Sequence, residues 1–98
     1  MEKFVYYGIL FDIYKELLTD NEMKIFSLYY EENLTLQEIA DILDVSKSYI
    51  GNVIKKCENK LDSLEKILKI YYTRDELSKI LQLSSISSIK NKIQELIK

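Results

Sequence analysis

The chain has 98 residues, of which 47% are hydrophobic and 31% charged, and it carries a net charge of −2. That apolar content excludes intrinsic disorder, and the length allows one compact domain or one domain with a helical appendage. Two Gly and no Pro argue against a turn-rich barrel or sandwich, and no His with one Cys leaves no zinc site, no His-based dyad and no internal disulfide.

An all-α fold of five or six helices is therefore predicted, with no cofactor and no metal. The longest apolar stretch, residues 4–11, ends at Asp12, whereas a membrane span needs roughly 20 residues. No small-residue cleavage site follows it, so the expectation is a soluble cytoplasmic protein with no membrane partner. The net charge hides a gradient. Residues 1–33 carry a net −4, residues 34–56 balance, and residues 57–98 carry a net +2.

The first predicted helix covers residues 3–18. Phe4, Tyr7, Phe11, Tyr14 and Leu18 step by 3, 4, 3 and 4, a heptad seam. Val5, Ile9, Leu10, Ile13 and Leu17 make the remaining faces nearly all apolar, so several sides need cover, from the fold's own centre or from a second chain in a homodimer. Three later helices are marked by capping boxes, Thr19 with Glu22, Thr35 with Glu38 and Thr73 with Glu76. The second helix is predicted over residues 20–31, burying Met23, Phe26 and one of Tyr29 and Tyr30. Glu31, Glu32 and Asn33 form a loop. The third, Leu36–Leu43, turns Ile39, Ala40 and Leu43 inward.

The fourth helix starts after Ser46, a good N-cap, and meets no stop signal before Tyr72. Its seam of Ile50, Ile54, Cys57, Leu61, Leu64, Leu68 and Tyr71 matches the spacing of the first helix. A continuous helix of that extent would be about 40 Å long, and it is expected to pack on the first at a shallow angle, within one chain or across a dimer. This divides the chain into a helical domain, residues 1–72, and a helical tail, residues 73–98.

The third and fourth helices have the layout of a helix-turn-helix at 35–56. Ala40 stands at the crossing, and Ile39, Leu43, Val45, Ile50 and Val53 or Ile54 fill the wedge. Asp44 takes the turn position, where a left-handed backbone is tolerated. The outward face of the second motif helix is Lys47, Ser48, Tyr49, Asn52, Lys55 and Lys56. Residues 46–60 hold four Lys against one Glu, Glu58. Ser46, Lys47 and Ser48 lie in the first turn, where free N–H groups and the helix dipole favour a phosphate. Asn52, one turn deeper, suits the edge of an adenine, and the missing arginines weigh against strong guanine readout. Gly51 costs about 1 kcal/mol in a helix interior, and its bare backbone is read as allowing close approach to a groove.

The run of residues 18–61, with Leu18-Thr19, Tyr29-Tyr30, Thr35, Glu38-Ile39-Ala40 and Val45-Ser46, resembles the fourth region of bacterial sigma factors. Over residues 3–70 the chain resembles more closely the YlxM family of helix-turn-helix proteins. Leu10-Phe11-Asp12, Tyr14, Leu17-Leu18-Thr19, Ser-Leu-Tyr-Tyr at 27–30 and Ile-Lys-Lys at 54–56 carry that resemblance. It implies a sigma region four-like fold without a wing and a cytoplasmic bacterial regulator, encoded beside the signal recognition particle GTPase or its receptor. The motif face departs from the family in having Lys and Ser where Arg and Gln are usual, and residues 73–98 differ from the family's charged tail.

Residues 73–84 can be laid over residues 35–46 with five of twelve positions identical. After a one-residue insertion, Ile89, Ile93 and Leu96 fall where Ile50, Ile54 and Cys57 lie, with Lys90 and Lys92 outward. The tail is thus either a degenerate second helix-turn-helix or a helical hairpin that reuses the same spacing. Cys57 reads as an inert core thiol, and Tyr7, Tyr14 and Tyr71 as core. Glu31 and Glu32 have no partner acid or base at helical spacing, and no Gly-rich phosphate loop exists, so no enzyme is expected. The leading expectation is a DNA-binding transcriptional regulator, a homodimer whose candidate contacts are Ser46, Lys47, Ser48, Tyr49, Asn52, Lys55 and Lys56. The rivals are a protein- or RNA-binding adaptor of signal recognition particle components and a dimeric structural module.

Overall fold

The computed structural model describes residues 1–83 and 85–98. Among them are six α-helices, α1 Lys3–Tyr14, α2 Asp20–Tyr30, α3 Leu36–Leu43, α4 Lys47–Leu68, α5 Ile70–Ile80 and α6 Ile86–Ile97, with a 3-10 turn at Lys15–Leu17. The fold is all-helical, as the composition requires, and among the described residues no helix is long and apolar enough to cross a membrane.

The first two capping boxes form. Thr19 Oγ1 accepts from the Glu22 N–H and Glu22 Oε1 from the Thr19 N–H, at 3.2 and 2.9 Å. Thr35 and Glu38 repeat the exchange at 3.1 and 2.9 Å. The first helix is shorter than expected. It tightens into the 3-10 turn at Lys15, and Leu18 is extended, which carries its side chain into the core ahead of the Thr19 cap.

A core of Leu10, Phe11, Tyr14, Leu18, Ile25, Phe26, Ile39, Ala40, Ile50, Ile54, Cys57 and Leu61 gathers around α4, and α1, α2 and α3 all pack on it within the same chain. The matching heptad seams of α1 and α4 therefore meet intramolecularly. Aromatic rings join the other side of α1 to α2, with Phe4 stacked on Tyr30 at 4.6 Å and Tyr30 on Phe26 at 4.3 Å. These contacts explain why α1 is apolar nearly all round: several neighbours share it.

Three tyrosines stitch the aromatic layer to a ladder of carboxylates on α4. The Tyr30, Tyr7 and Tyr14 hydroxyls donate to Glu58, Asp62 and Glu65 at 2.8, 2.7 and 2.6 Å. Burial raises the pKa of all three phenols, and the facing carboxylates raise it further. A folded pKa above the unfolded one means stability that is whole below the ordinary tyrosine value, about 10, and lost as pH rises through the folded values. Melting temperature should hold level from neutral pH to about 9 and fall above about 10. Ring-carbon NMR shifts of Tyr7, Tyr14 and Tyr30 should report ionisation of these three phenols only as the chain unfolds, and their ionisation in a still-folded chain would contradict the ladder.

The fourth helix does not run to Tyr72. It stops at Leu68, and Lys69 turns left-handed with φ 52° before α5 begins. The 22 residues of α4 span about 33 Å at the usual rise. Glu65, buried one turn before the break, accepts the Tyr71 and Tyr72 N–H groups at 3.1 and 2.9 Å, while the Tyr14 hydroxyl accepts the Ile70 N–H at 3.2 Å. These two side chains cap α5 in place of an N-cap residue. The capping box expected at Thr73 and Glu76 does not form, because Thr73 lies inside α5. Tyr71 belongs to α5 and not to the α4 seam, and it is half-buried beside Tyr6, with ring centroids 6.0 Å apart.

Helices α5 and α6 form an antiparallel hairpin: Lys69, Tyr72 and Thr73 at the start of α5 share a cleft with Leu96 and Lys98 at the end of α6. The expected match of Ser84 to Ser46 lies outside the described residues. Ser85 caps α6, its hydroxyl accepting the Ser88 N–H at 3.3 Å. The hairpin projects from the core and stretches the chain to 58 Å along its longest axis, with a radius of gyration of 17.4 Å, against about 13 Å for a compact chain of this length.

Candidate nucleic-acid interface

The helix-turn-helix is built as its residues dictate. Helix α3 spans eight residues and buries Ile39 and Ala40, Asp44 turns left-handed at φ 55°, and the Val45 N–H returns to the Ala40 carbonyl at 3.0 Å. Ser46 caps α4, its hydroxyl accepting the Tyr49 N–H at 3.0 Å. Ile50 and Ile54 are buried, Leu43 and Val53 half-buried. Val45 is not in the wedge as expected. It is 39% exposed, because the left-handed turn at Asp44 points the following residue outward while its N–H closes the turn.

Ser46, Lys47, Ser48, Tyr49, Asn52, Lys55 and Lys56 are all exposed. At about 100° per residue, Ser48, Asn52 and Lys55 lie opposite the buried seam of Ile50, Ile54, Cys57 and Leu61. Tyr49 and Lys56 lie toward α2, and Lys47 toward α3. Tyr49 is 42% exposed, and its hydroxyl accepts from Asn21 Nδ2 at 2.9 Å. That bond fixes the ring against the start of α2, where Thr19, Asn21, Tyr49, Asn52 and Lys56 share a shallow groove.

Pairing sharpens the local charge. Lys60 is held by the buried Glu22 at 3.1 Å, and Glu58 is engaged by Lys3 and Tyr30. Burial acts to raise the pKa of Glu22, but the Thr19 N–H and Lys60 outweigh it and the net shift is downward. Among the described residues, Lys47, Lys55 and Lys56 have no carboxylate partner. Three free cations, Lys47 in the first turn and Lys55 and Lys56 more than two turns on, thus stand exposed along the outer side and flanks of α4 beside the unpaired Lys47 and Ser48 N–H groups. Glu38, Asp41 and Asp44 are exposed on α3 and the turn, which confines any polyanion to the α4 side of the motif.

Two residues of this surface were not among those predicted. Asn59 is exposed two turns beyond Asn52 on the same side, and its spacing of seven was the available signal. Asn21 reaches the surface only through the packing of α2 on α4, which no local pattern shows. Gly51 is a correction. It faces α3, where an added Cβ would sit 3.8 Å from Leu36 Cδ1, an ordinary contact, so it opens no path to a groove. Gly51→Ala should raise stability by about 0.5–1 kcal/mol through helix propensity. A denaturant midpoint that falls would reveal a hidden clash.

Cys57 is fully buried, and burial pushes its thiol up to about 11. It stays a protonated core side chain at neutral pH.

The family model for UPF0122, described as "Putative helix-turn-helix protein, YlxM / p13 like", matches residues 1–98. The chain belongs to the UPF0122 family. The UPF0122 protein of Mycoplasma capricolum is 38% identical over 92 residues, covering 94% of this chain and 81% of the relative. That of Clostridium acetobutylicum is 32% identical over 98 residues, covering 97% and 84%. That of Caldanaerobacter subterraneus is 33% identical over 78 residues, covering 80% and 67%. The family match extends through the tail, beyond the residues 3–70 on which the YlxM resemblance was drawn.

Proposed function

We propose that the protein is a DNA-binding regulator that docks the amino-terminal half of α4 in a major groove. The observation that carries the reading is that Lys47, Lys55 and Lys56, free of carboxylate partners among the described residues, are all exposed along the amino-terminal half of α4, whose first turn is open. Each lysine reaches a phosphate, the first-turn N–H groups take another, and Ser48 and Asn52 face the base edges. The tethered Tyr49 sets the depth of insertion by packing on a sugar or a base methyl. Membership of a helix-turn-helix family supports the same reading. Lysine and serine in place of arginine make it a weak discriminator of sequence, with most of its affinity from phosphates. We place it in the cytoplasm and in transcriptional control. As a homodimer it would reach successive grooves when its two α4 helices stand about 34–36 Å apart.

Fluorescence anisotropy with a labelled duplex tests this. Affinity should fall with salt at a log–log slope of about −3 per motif, from three lysine–phosphate contacts. A slope near zero would remove the reading. An adaptor of signal recognition particle components that keeps the motif as a scaffold would bind its partner with no dependence on these lysines.

A further inference from the structure

The tail hairpin has more apolar surface than its two helices can bury on each other. On α5, Thr73, Glu76 and Ile80 meet α6, while Ile70, Leu77 and Leu81 form a second stripe about a quarter turn round the helix at 100° per residue. On α6, Lys92 and Leu96 line clefts shared with α5 and the half-buried Ile89 is on the same side, and Ile86, Ile93 and Ile97 lie about a quarter turn round in the same sense. In an antiparallel pair, equal rotations in the same sense bring both stripes to one side of the hairpin. That side is uncovered: Leu81 is 86% exposed, Ile97 79%, Ile86 72%, Leu77 47% and Ile93 40%. No residue of α6 is buried, and an isolated helix pair of this length cannot hold itself together in water.

We propose that the α5–α6 hairpin is a homodimerisation arm, its open face closed by the same face of a second copy around a twofold axis into a four-helix bundle. Both stripes repeat the same spacing of 7 and then 4, at 70, 77 and 81 and at 86, 93 and 97. The α5 stripe of one copy can therefore interdigitate with the α6 stripe of the other, as a self-complementary interface requires. Arg74 and Lys90 fall at the outer margins of the stripes, where long cationic side chains reach water from the rim of an interface. The area fits as well. A compact monomer of 11.6 kDa exposes about 5,800 Å², whereas this chain exposes 6926 Å². The excess of about 1,100 Å² exceeds the roughly 800 Å² that each partner gives up in a standard stable interface. Helix α1, whose seam suited either the fold's own centre or a second chain, is not available, because Leu10, Phe11 and Tyr14 are already buried in its own chain.

The proposal stands apart from nucleic-acid binding, and its test uses the full chain without DNA. Light scattering after gel filtration should give twice the 11.6 kDa chain mass. Leu81→Glu with Ile97→Glu should give the single-chain mass, with helical circular dichroism retained because both side chains lie outside the core. Val5→Glu with Leu17→Glu, the same change on exposed positions of α1, should leave the dimer intact. In the unsubstituted protein, hydrogen exchange of α6 amides should slow as concentration rises while exchange in α4 stays constant, a readout that no unfolded variant can obscure. A monomer at all concentrations, including one that binds anionic vesicles through the tail, would overturn the proposal. So would a dimer that survives the tail substitutions, or α6 exchange independent of concentration.

Discussion

Glu65→Ala should lower the stability of the protein by about 3 kcal/mol, the largest loss expected from truncating any single polar side chain of the described residues. Glu65 is one of three buried carboxylates among the described residues, and it accepts three donors, the Tyr14 hydroxyl at 2.6 Å and the Tyr71 and Tyr72 N–H groups at 3.1 and 2.9 Å. Alanine leaves the buried hydroxyl with no acceptor and strips α5 of its cap. An orphaned buried donor costs about 1–3 kcal/mol, whereas the two amides recover part of their loss from water. For a chain of this size, about 3 kcal/mol is a fall in melting temperature of roughly 12–24 °C. Glu65→Gln keeps one carbonyl oxygen for the Tyr14 hydroxyl and the Tyr71 N–H but sets an NH₂ against the Tyr72 N–H, so it should cost about 1 kcal/mol. Thermal melts of both variants check the ranking, and equal effects from Ala and Gln would mean that volume, not hydrogen bonding, holds the corner.

Reversing three charges on the motif should act on binding and leave the fold intact. With Lys47→Glu, Lys55→Glu and Lys56→Glu together, duplex affinity at about 0.15 M salt should fall by about 100-fold or more, and the salt slope should flatten by about 3. All three side chains are exposed and without carboxylate partners among the described residues, so no buried pair is broken. Surface changes of this kind shift stability by no more than about 0.5 kcal/mol each. Lys24→Glu, Lys66→Glu and Lys98→Glu make the same change in net charge at exposed positions elsewhere. If the effect were only the long-range field of the whole molecule, this control would weaken binding equally. Docking through α4 requires it to do much less.

The helix-turn-helix was legible in the chain because its determinants are local. Thr35 and Glu38 cap one helix, Ser46 caps the next, and Asp44 is among the few side chains suited to φ 55° between them. The end of α4 was illegible for the opposite reason. Lys69 is an ordinary helix former, and the groups that make its left-handed turn tolerable belong to Glu65 and to Tyr14 at the far end of α1. Thr73 misled because a capping box is a pattern of side chains, whereas the helix had already been started four residues earlier by tertiary contacts.

At the candidate interface, exposure followed from helical periodicity, so Lys47, Lys55 and Lys56 were found by spacing alone. Sequence could not show that Lys60, equally basic, is withdrawn by Glu22, or that Tyr49 is tied to Asn21. Both depend on α2 lying across α4. The apolar excess of α1 was visible, but its cause was not: α2, α4 and α5 of the same chain share that helix, while the two-stripe uncovered face lies in the tail.

A titration of nitrogen-labelled protein with duplex DNA, followed by amide chemical shifts, addresses the role of α4 most directly. Perturbations should concentrate at Ser46, Lys47, Ser48, Asn52, Lys55 and Lys56 and fade with added salt. Shifts centred instead on the α1–α2 aromatic surface or on the tail, with the first turns of α4 unmoved, would contradict it.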